Sequence, residues 1–230
     1  MHIILENILQ TLFPSACACC GETLMRGERE ICLNCATNLS STHFSAFDDN
    51  PAERLLAGGI HLEHATSLYF FQQGNTVQRL IHAMKFKGNS DLCLLMGRQL
   101  GLDLLRSSRF DDIDLLVPVP LHWMRRYQRG YNQSELLCRG IAQVMPRPVN
   151  TSAFVRRRNT KKQSQQNHSQ RETNTLDAFR VRRPEELAGR HILLVDDVVT
   201  TGATLRSCCQ ELSKVSGIRI SIATLSIAHS

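Results

Sequence analysis

The sequence predicts an α/β protein, a parallel sheet flanked by helices, with a small four-cysteine module at its N-terminal end. Three observations predict it. Apolar strand patterns alternate with helix-period patterns between residues 65 and 227. Five of the nine cysteines fall within residues 1–45. A continuous apolar run at 191–195 leads through a loop of small and hydroxylated residues into a helix pattern. With 230 residues, 42% hydrophobic and 21% charged, the chain can bury one sizeable core plus a small appendage. Bulk disorder is excluded, and no apolar run approaches the roughly 18 residues of a membrane span.

Ile4, Leu5, Ile8, Leu9 and Leu12 recur at helical spacing and predict a short amphipathic helix. Its usual fate is packing on the chain's own core; its alternative is contact with a membrane surface. The first 20 residues carry Glu6, no cationic leader and no small-residue cleavage site. The chain is therefore expected in the cytoplasm, at most peripheral at the inner face of the membrane, with its cysteines reduced. Residues 1–45 are expected to form the helix plus a metal module, 46–63 a connector, and 64–230 the main domain. Asp48, Asp49, Asn50 and Pro51 read as breakers within the connector, followed by the Gly58-Gly59 pair. Residues 65–72 read as a strand, and Val77, Leu80, Ile81 and Met84 mark one face of a helix closed by Gly88. A second helix covers 90–106, and a buried strand at 113–119 is halted by Pro118 and Pro120. Leu137, Ile141 and Val144 define a helix over 133–145, whereas 156–175 is polar, basic and without periodicity, hence a loop. A strand at 191–195, a helix at 204–215 and a strand at 218–227 complete the alternation.

Cys17-x-x-Cys20 and Cys32-x-x-Cys35 are separated by eleven residues. Each such turn presents two sulfurs on one side, and two turns complete a tetrahedron, so the expected occupant is Zn²⁺. Four thiolates close the coordination shell, which makes the role structural. Gly21 permits the tight turn; Cys19 could replace Cys17 or Cys20 but leaves the wrong spacing. Cys93 and Cys138 sit in helix patterns as core residues, and the neighbours Cys208 and Cys209 point apart on a helix.

Charge is unevenly spread. Residues 121–171 hold eleven Arg or Lys against Glu135 alone, a net of +10, while the rest of the chain has 16 basic and 20 acidic residues, a net of −4. Phosphate, in a small ligand or a nucleic acid, is the natural counter-charge. A solvated basic face is the bland alternative.

The most specific signal is HILLVDDVVTTGATL, 191–205. Thr200, Thr201, Gly202, Ala203 and Thr204 gather backbone N–H groups and hydroxyls at a helix start, a geometry that binds a phosphate monoester. Asp196 and Asp197 would repel that phosphate, so they suit sugar hydroxyls or a bridging metal. This stretch resembles the ribose-5-phosphate and PRPP-binding signature of type I phosphoribosyltransferases. The resemblance implies Asp196 and Asp197 on the ribose 2- and 3-hydroxyls, the residues 200–204 around the 5-phosphate, and Mg²⁺ accompanying PRPP. Thr200 stands where enzymes for 6-oxopurines carry an aspartate base, which disfavours hypoxanthine–guanine salvage.

Further motifs narrow the likeness. Val117-Pro118-Val119-Pro120-Leu121-His122 followed by Arg129-Gly130-Tyr131-Asn132-Gln133 is similar to the PVP and RGxNQ block of the ComF/GntX family. So are Arg156-x-Arg158-x-Thr160-x-x-Gln163, Arg171-x-x-Asn174, Lys85-Phe86-Lys87-Gly88 and the cysteine tetrad, in the same order. Lys161-Lys162 replaces common prolines, and a polar QQNH run replaces the usual leucine, which makes this loop more basic. The resemblance implies a phosphoribosyltransferase-like fold with Val119, Pro120, Arg125 and Arg129 in a pyrophosphate loop, Arg129 the first choice as oxyanion partner. It also implies a role in natural competence, with single-stranded DNA held along Arg156, Arg158, Lys161, Lys162, Gln163 and Arg171, and with other competence or DNA-processing proteins as partners. The alternative is a PRPP-dependent phosphoribosyltransferase of nucleotide metabolism with an unidentified acceptor; a third is a sensor of PRPP. Stacking aromatics near the basic stretch are few: Trp123, Tyr127, Tyr131 and Phe154.

Overall fold

The computed structural model describes residues 15–58, 60–86, 88–156 and 178–228. Among them run strands β1 (Ala65–Phe71), β2 (Leu115–Pro118), β3 (Phe154–Arg156), β4 (Phe179–Val181), β5 (His191–Val199) and β6 (Arg219–Ala228). The helices are α1 (Leu33–Thr37), α2 (Pro51–Leu56), α3 (Thr76–Phe86), α4 (Ser90–Leu104), α5 (Trp123–Arg129), α6 (Gln133–Ala142) and α7 (Ala203–Leu212). The main sheet has the order β1-β6-β5-β2, and every neighbouring pair is parallel. β3 and β4 form a separate antiparallel ribbon, Phe154 opposite Val181 and Arg156 opposite Phe179. The helix expected over residues 4–12 lies outside the described residues.

Leu193 and Val195 enter the core on one side of the sheet, with Leu80 of α3, Met96 of α4 and Leu137 of α6. Ile192 and Leu194 enter the core on the other side, with Leu56 of α2 and Leu205 and Leu212 of α7. Both faces are covered, which is why the strand reads as an unbroken apolar run instead of an alternating one.

Three expectations are corrected. β5 continues to Val199 because the longer β6 keeps pairing with it, Val199 opposite Ile227; the two aspartates therefore belong to the strand. Residues 46–63 are not merely a connector. Asn50 and Pro51, read as breakers, start α2: the Asn50 side chain accepts from the N–H groups of Ala52 and Glu53, and Pro51 takes the first turn. Asn50 is fully buried and its amide also donates to the carbonyls of Phe44, Phe47 and Ala65. The stretch between β2 and α6 contains α5, none of whose residues is buried.

α4 and α6 pack backbone to backbone. A Cβ on Gly97 would lie 2.3 Å from the Leu137 carbonyl oxygen, and one on Gly140 2.3 Å from that of Leu94. Neither obstacle is a flexible side chain. Gly97→Ala is expected to lower stability by about 1–3 kcal/mol in urea denaturation, through a forced separation of the two helices.

The cysteine module joins the same core as α3 and α4 through Cys17, Ile31, Cys32 and Cys35. It is tied to β1 by Thr42 N–H to Leu68 O and Phe70 N–H to Ser40 O, 3.0 and 2.8 Å. Ser221, His191 and Asp112 form a hydrogen-bonded series with 2.9 Å at each link. Ser221 is fully buried and His191 only 1% exposed, so the series ties the start of β5 to β6 and to the exposed Asp112. Among the described residues no helix is long and apolar enough to cross a membrane.

Candidate functional site

At the C-terminal end of β5 the two aspartates line a cleft of about 190 Å³, together with Lys85, Arg125 and Arg156. Asp196 Oδ1 accepts hydrogen bonds from Ser134 Oγ and from the Asp197 N–H, both 2.9 Å. Asp197 Oδ2 lies 3.0 Å from Lys85 Nζ. Burial, followed by the neighbouring Asp197 charge, pushes the Asp196 carboxyl up to about 7. Two acceptor-rich groups thus sit side by side, one poised near neutrality and one held by a lysine.

The next residues turn into α7. Thr200, Thr201, Gly202, Ala203 and Thr204 surround a cleft of about 40 Å³ that reaches Asp196. Gly202 is the N-cap, with φ +74°, and contributes no side chain to the helix start. The first-turn N–H groups are thereby left to face whatever occupies the cleft. A Cβ on Gly202 would meet Arg206 Nη1 at 2.7 Å and Leu56 at 3.0 Å. Arg206 in turn donates to the Leu55 carbonyl at 3.0 Å, so α2 clamps the loop from behind.

On the opposite wall, the Val119 N–H donates to Val195 O at 2.9 Å, and Val119 O accepts from Asn132 Nδ2 at 3.0 Å. Asn132 also caps α6 through Ser134 N–H. Tyr131 Oη donates to Met84 O at 2.8 Å. The RGYNQ stretch is therefore mainly scaffold: it fixes Val119 and Pro120 against the C-terminal end of α3, which carries Lys85. Arg129 lines the cleft, with Nη1 on Gln133 Oε1 at 2.9 Å and its guanidinium 5.4 Å from the Phe86 ring. Arg156 stacks 5.2 Å from the Phe179 ring, and burial and then the Arg125 charge hold its pKa below the usual range. Two guanidiniums thus bring positive charge next to the carboxylate pair.

Most of the residues singled out from sequence that fall within the described structure meet in one cleft system: Val119, Pro120, Arg125, Arg129, Arg156, Asp196, Asp197 and 200–204. Arg158, Lys161, Lys162, Gln163 and Arg171 lie outside the described residues. Lys85 and Ser134 were missed as site residues. Lys85 had a signal in the Lys85-Phe86 element, whereas Ser134 had none.

Cys17, Cys20, Cys32 and Cys35 present sulfurs that all lie within 4.8 Å of one another. Cys20 and Cys32 sulfurs are 3.7 Å apart, and Cys32 N–H donates to Cys17 Sγ at 3.3 Å. Burial opposes ionisation of Cys17, yet the N–H groups of Cys20, Cys32 and Cys19 bring its thiol down to about 6. Burial drives the Cys35 thiol well up. Cys19 lies outside this group of four, and its burial, then the Cys17 charge, pushes its thiol up to about 12. Four sulfurs at this separation fit a tetrahedral thiophilic ion such as zinc.

The sheet order, the loop between β5 and α7 and the paired aspartates define a phosphoribosyltransferase-type domain. The family model for the phosphoribosyl transferase domain matches residues 133–229. The DNA utilization protein YhgH of Escherichia coli is 37% identical over 136 residues, 58% of this chain and 59% of that one. Competence protein F of Haemophilus influenzae is 31% identical over 140 residues, 59% of this chain and 61% of that one. Competence protein ComFC of Bacillus subtilis is 25% identical over 217 residues, 85% of this chain and 84% of that one. The first of these alignments spans about three fifths of the relative's length. Over these spans the chain is similar to proteins named for competence and DNA utilization, and its C-terminal part matches the phosphoribosyl transferase domain.

Proposed function

We propose that this protein binds PRPP, or the ribose 5-phosphate part of a related nucleotide, in the Asp196–Asp197 cleft, and handles single-stranded DNA on the adjoining basic face during DNA uptake. The observation that carries the reading is the cleft: two carboxylates beside a helix start without a side-chain cap, faced by Arg125 and Arg156. Asp196 and Asp197 accept from the ribose 2- and 3-hydroxyls, and residues Thr200, Thr201, Gly202, Ala203 and Thr204 receive the 5-phosphate. Lys85 releases Asp197 as the ligand enters and turns to the pyrophosphate, which Val119, Pro120, Arg125 and Arg129 border. Mg²⁺ entering with PRPP would be held by the aspartates and would offset pyrophosphate charge. Zn²⁺ on Cys17, Cys20, Cys32 and Cys35 holds the N-terminal module. The strand-binding role draws on Arg156 with Arg158, Lys161, Lys162, Gln163 and Arg171, and on relatives named for competence and DNA utilization. The work would be done at the cytoplasmic face of the membrane with other DNA-processing proteins.

A second reading, transfer of the phosphoribosyl group to an unidentified nucleophile, is favoured by the two arginines gathered where pyrophosphate would leave. The test is a titration of labelled oligothymidylate with and without PRPP–Mg²⁺, with pyrophosphate followed in the same samples. Saturable PRPP binding that falls at least ~100-fold in Asp196→Asn/Asp197→Asn is expected, from loss of several hydrogen bonds to charged acceptors. Unchanged PRPP binding in that variant would overturn the assignment. Pyrophosphate release that requires DNA or a nucleotide would establish the transferase.

A further inference from the structure

A larger cavity, about 510 Å³, adjoins the carboxylate cleft; the two share Pro120, Leu121, Asn132 and Arg156 as border residues. Its chemistry differs from that of the ribose-phosphate cleft. Arg126, Arg156, Arg180 and Arg182 line it, against a single acid, Glu135. That carboxylate is engaged from outside the cavity by Arg139 at 2.8 Å and is 3.6 Å from Arg126, so it offsets little of the positive charge. Arg180 and Arg182 are exposed and have no ion-pair partner among the described residues. Arg180 lies in β4 and Arg182 one residue beyond its end, and both reach the lining of the same cavity.

The cavity also has an aromatic wall. Trp123 is 52% exposed at its rim, on α5, which buries none of its residues although it carries Met124 and the 88% exposed Tyr127. A helix that keeps Trp123, Met124 and Tyr127 in water, with Arg125 and Arg126 between them, is costly unless something planar and anionic covers it. Asn132 and Thr151 add polar side chains on the lining where a base edge would approach.

We infer that this cavity takes one nucleotide unit of a single strand, its base against Trp123 and its phosphates on Arg180 and Arg182. The inference rests on the single-strand part of the function proposed above and gives that strand a fixed point beside the PRPP cleft. Trp123, Arg180 and Arg182 stand apart from the carboxylates and the phosphate loop, so their replacement leaves PRPP binding intact.

Trp123 is the only tryptophan of the chain, so intrinsic fluorescence reports this cavity alone. The full-length protein is titrated with oligothymidylate and with thymidine monophosphate, following both tryptophan emission and oligomer anisotropy. Oligothymidylate is expected to quench the emission, at concentrations at least ~10-fold below those thymidine monophosphate needs, since phosphate contacts beyond one unit add affinity. Trp123→Ala is expected to weaken oligomer binding roughly 5- to 150-fold, the range for one stacked base. Arg180→Glu/Arg182→Glu is expected to abolish quenching and to flatten the salt dependence of oligomer binding, while PRPP affinity by calorimetry stays at the wild-type value. An oligomer that binds by anisotropy without changing the emission, and with equal affinity for the variants, would overturn this site and leave the single-strand reading standing. No oligomer binding at all would overturn that reading and the site with it. Equal potency of the monophosphate would overturn the strand as occupant.

Discussion

Asp196→Asn is expected to make the protein more stable above neutral pH while it loses ribose-phosphate binding. The wild-type carboxyl is buried beside a second carboxyl, and its pKa stands at about 7 against an ordinary value of 3.8. The folded state therefore holds a proton that the unfolded chain gives up between these values. Its contribution to stability is fully present below about pH 4 and is lost progressively as the pH rises to about 7. Asparagine keeps an acceptor oxygen for Ser134 Oγ and the Asp197 N–H but cannot ionise. The variant and the wild type should thus unfold at similar temperatures at pH 4 and separate by pH 8. The gain there is on the order of 2 kcal/mol, less than the full shift because Asp197 and Lys85 share the site, or about 4–8 °C for a chain of this length. Over the same range wild-type affinity for PRPP should rise with pH, since an ionised acceptor binds ribose hydroxyls better, and the variant should show no such rise. A variant that is destabilised at pH 8 would mean that the carboxylate is paired in the folded state, contrary to the account of the cleft.

That opposition between stability and binding was only half visible in the sequence. The residues 196–204 could be read because one strand–loop–helix unit supplies the sugar and phosphate contacts consecutively. The cysteine tetrad could be read for the same reason: two short turns carry all four sulfurs. Strands and helices of the main sheet followed from apolar periodicity, which a doubly covered parallel sheet writes clearly. What sets the electrostatics of the cleft was not legible. Lys85 reaches Asp197, and Ser134 reaches Asp196, only because the parallel order sets β2 beside β5 and the helix ends around them gather at one edge. Nor was the role of α2, since Leu56 and Leu55 act on Gly202 and Arg206 through a contact about 150 residues long in sequence. The three-residue strands β3 and β4 are too short for periodicity, and with them the gathering of Arg180 and Arg182 at one cavity escaped notice.

Metal removal is expected to have the other large effect. The tetrad is built into the same core as Leu68 and Tyr69 of β1, and Glu30 of its second turn accepts from Asn89 Nδ2 at 2.6 Å where α4 begins. With zinc bound, the four sulfurs need no protons. Without it, four thiols share a space 4.8 Å across, and the surrounding N–H groups bring the Cys17 thiol down to about 6. Chelation, or Cys32→Ser, should therefore loosen the module and the β1 edge together and lower the melting temperature by about 10 °C, with PRPP binding at the far edge of the sheet retained. Because the metal displaces thiol protons, acid should favour its loss. The chelator concentration that lowers the melting temperature should fall as the pH drops from 8 to 5, most steeply below about 6, where Cys17 also holds its proton. One zinc per chain by elemental assay, lost in Cys32→Ser, accompanies this outcome. A chain that binds no metal and keeps its melting temperature in chelator would leave four crowded thiols with no charge to hold them, and would turn the tetrad from a metal site into a redox one.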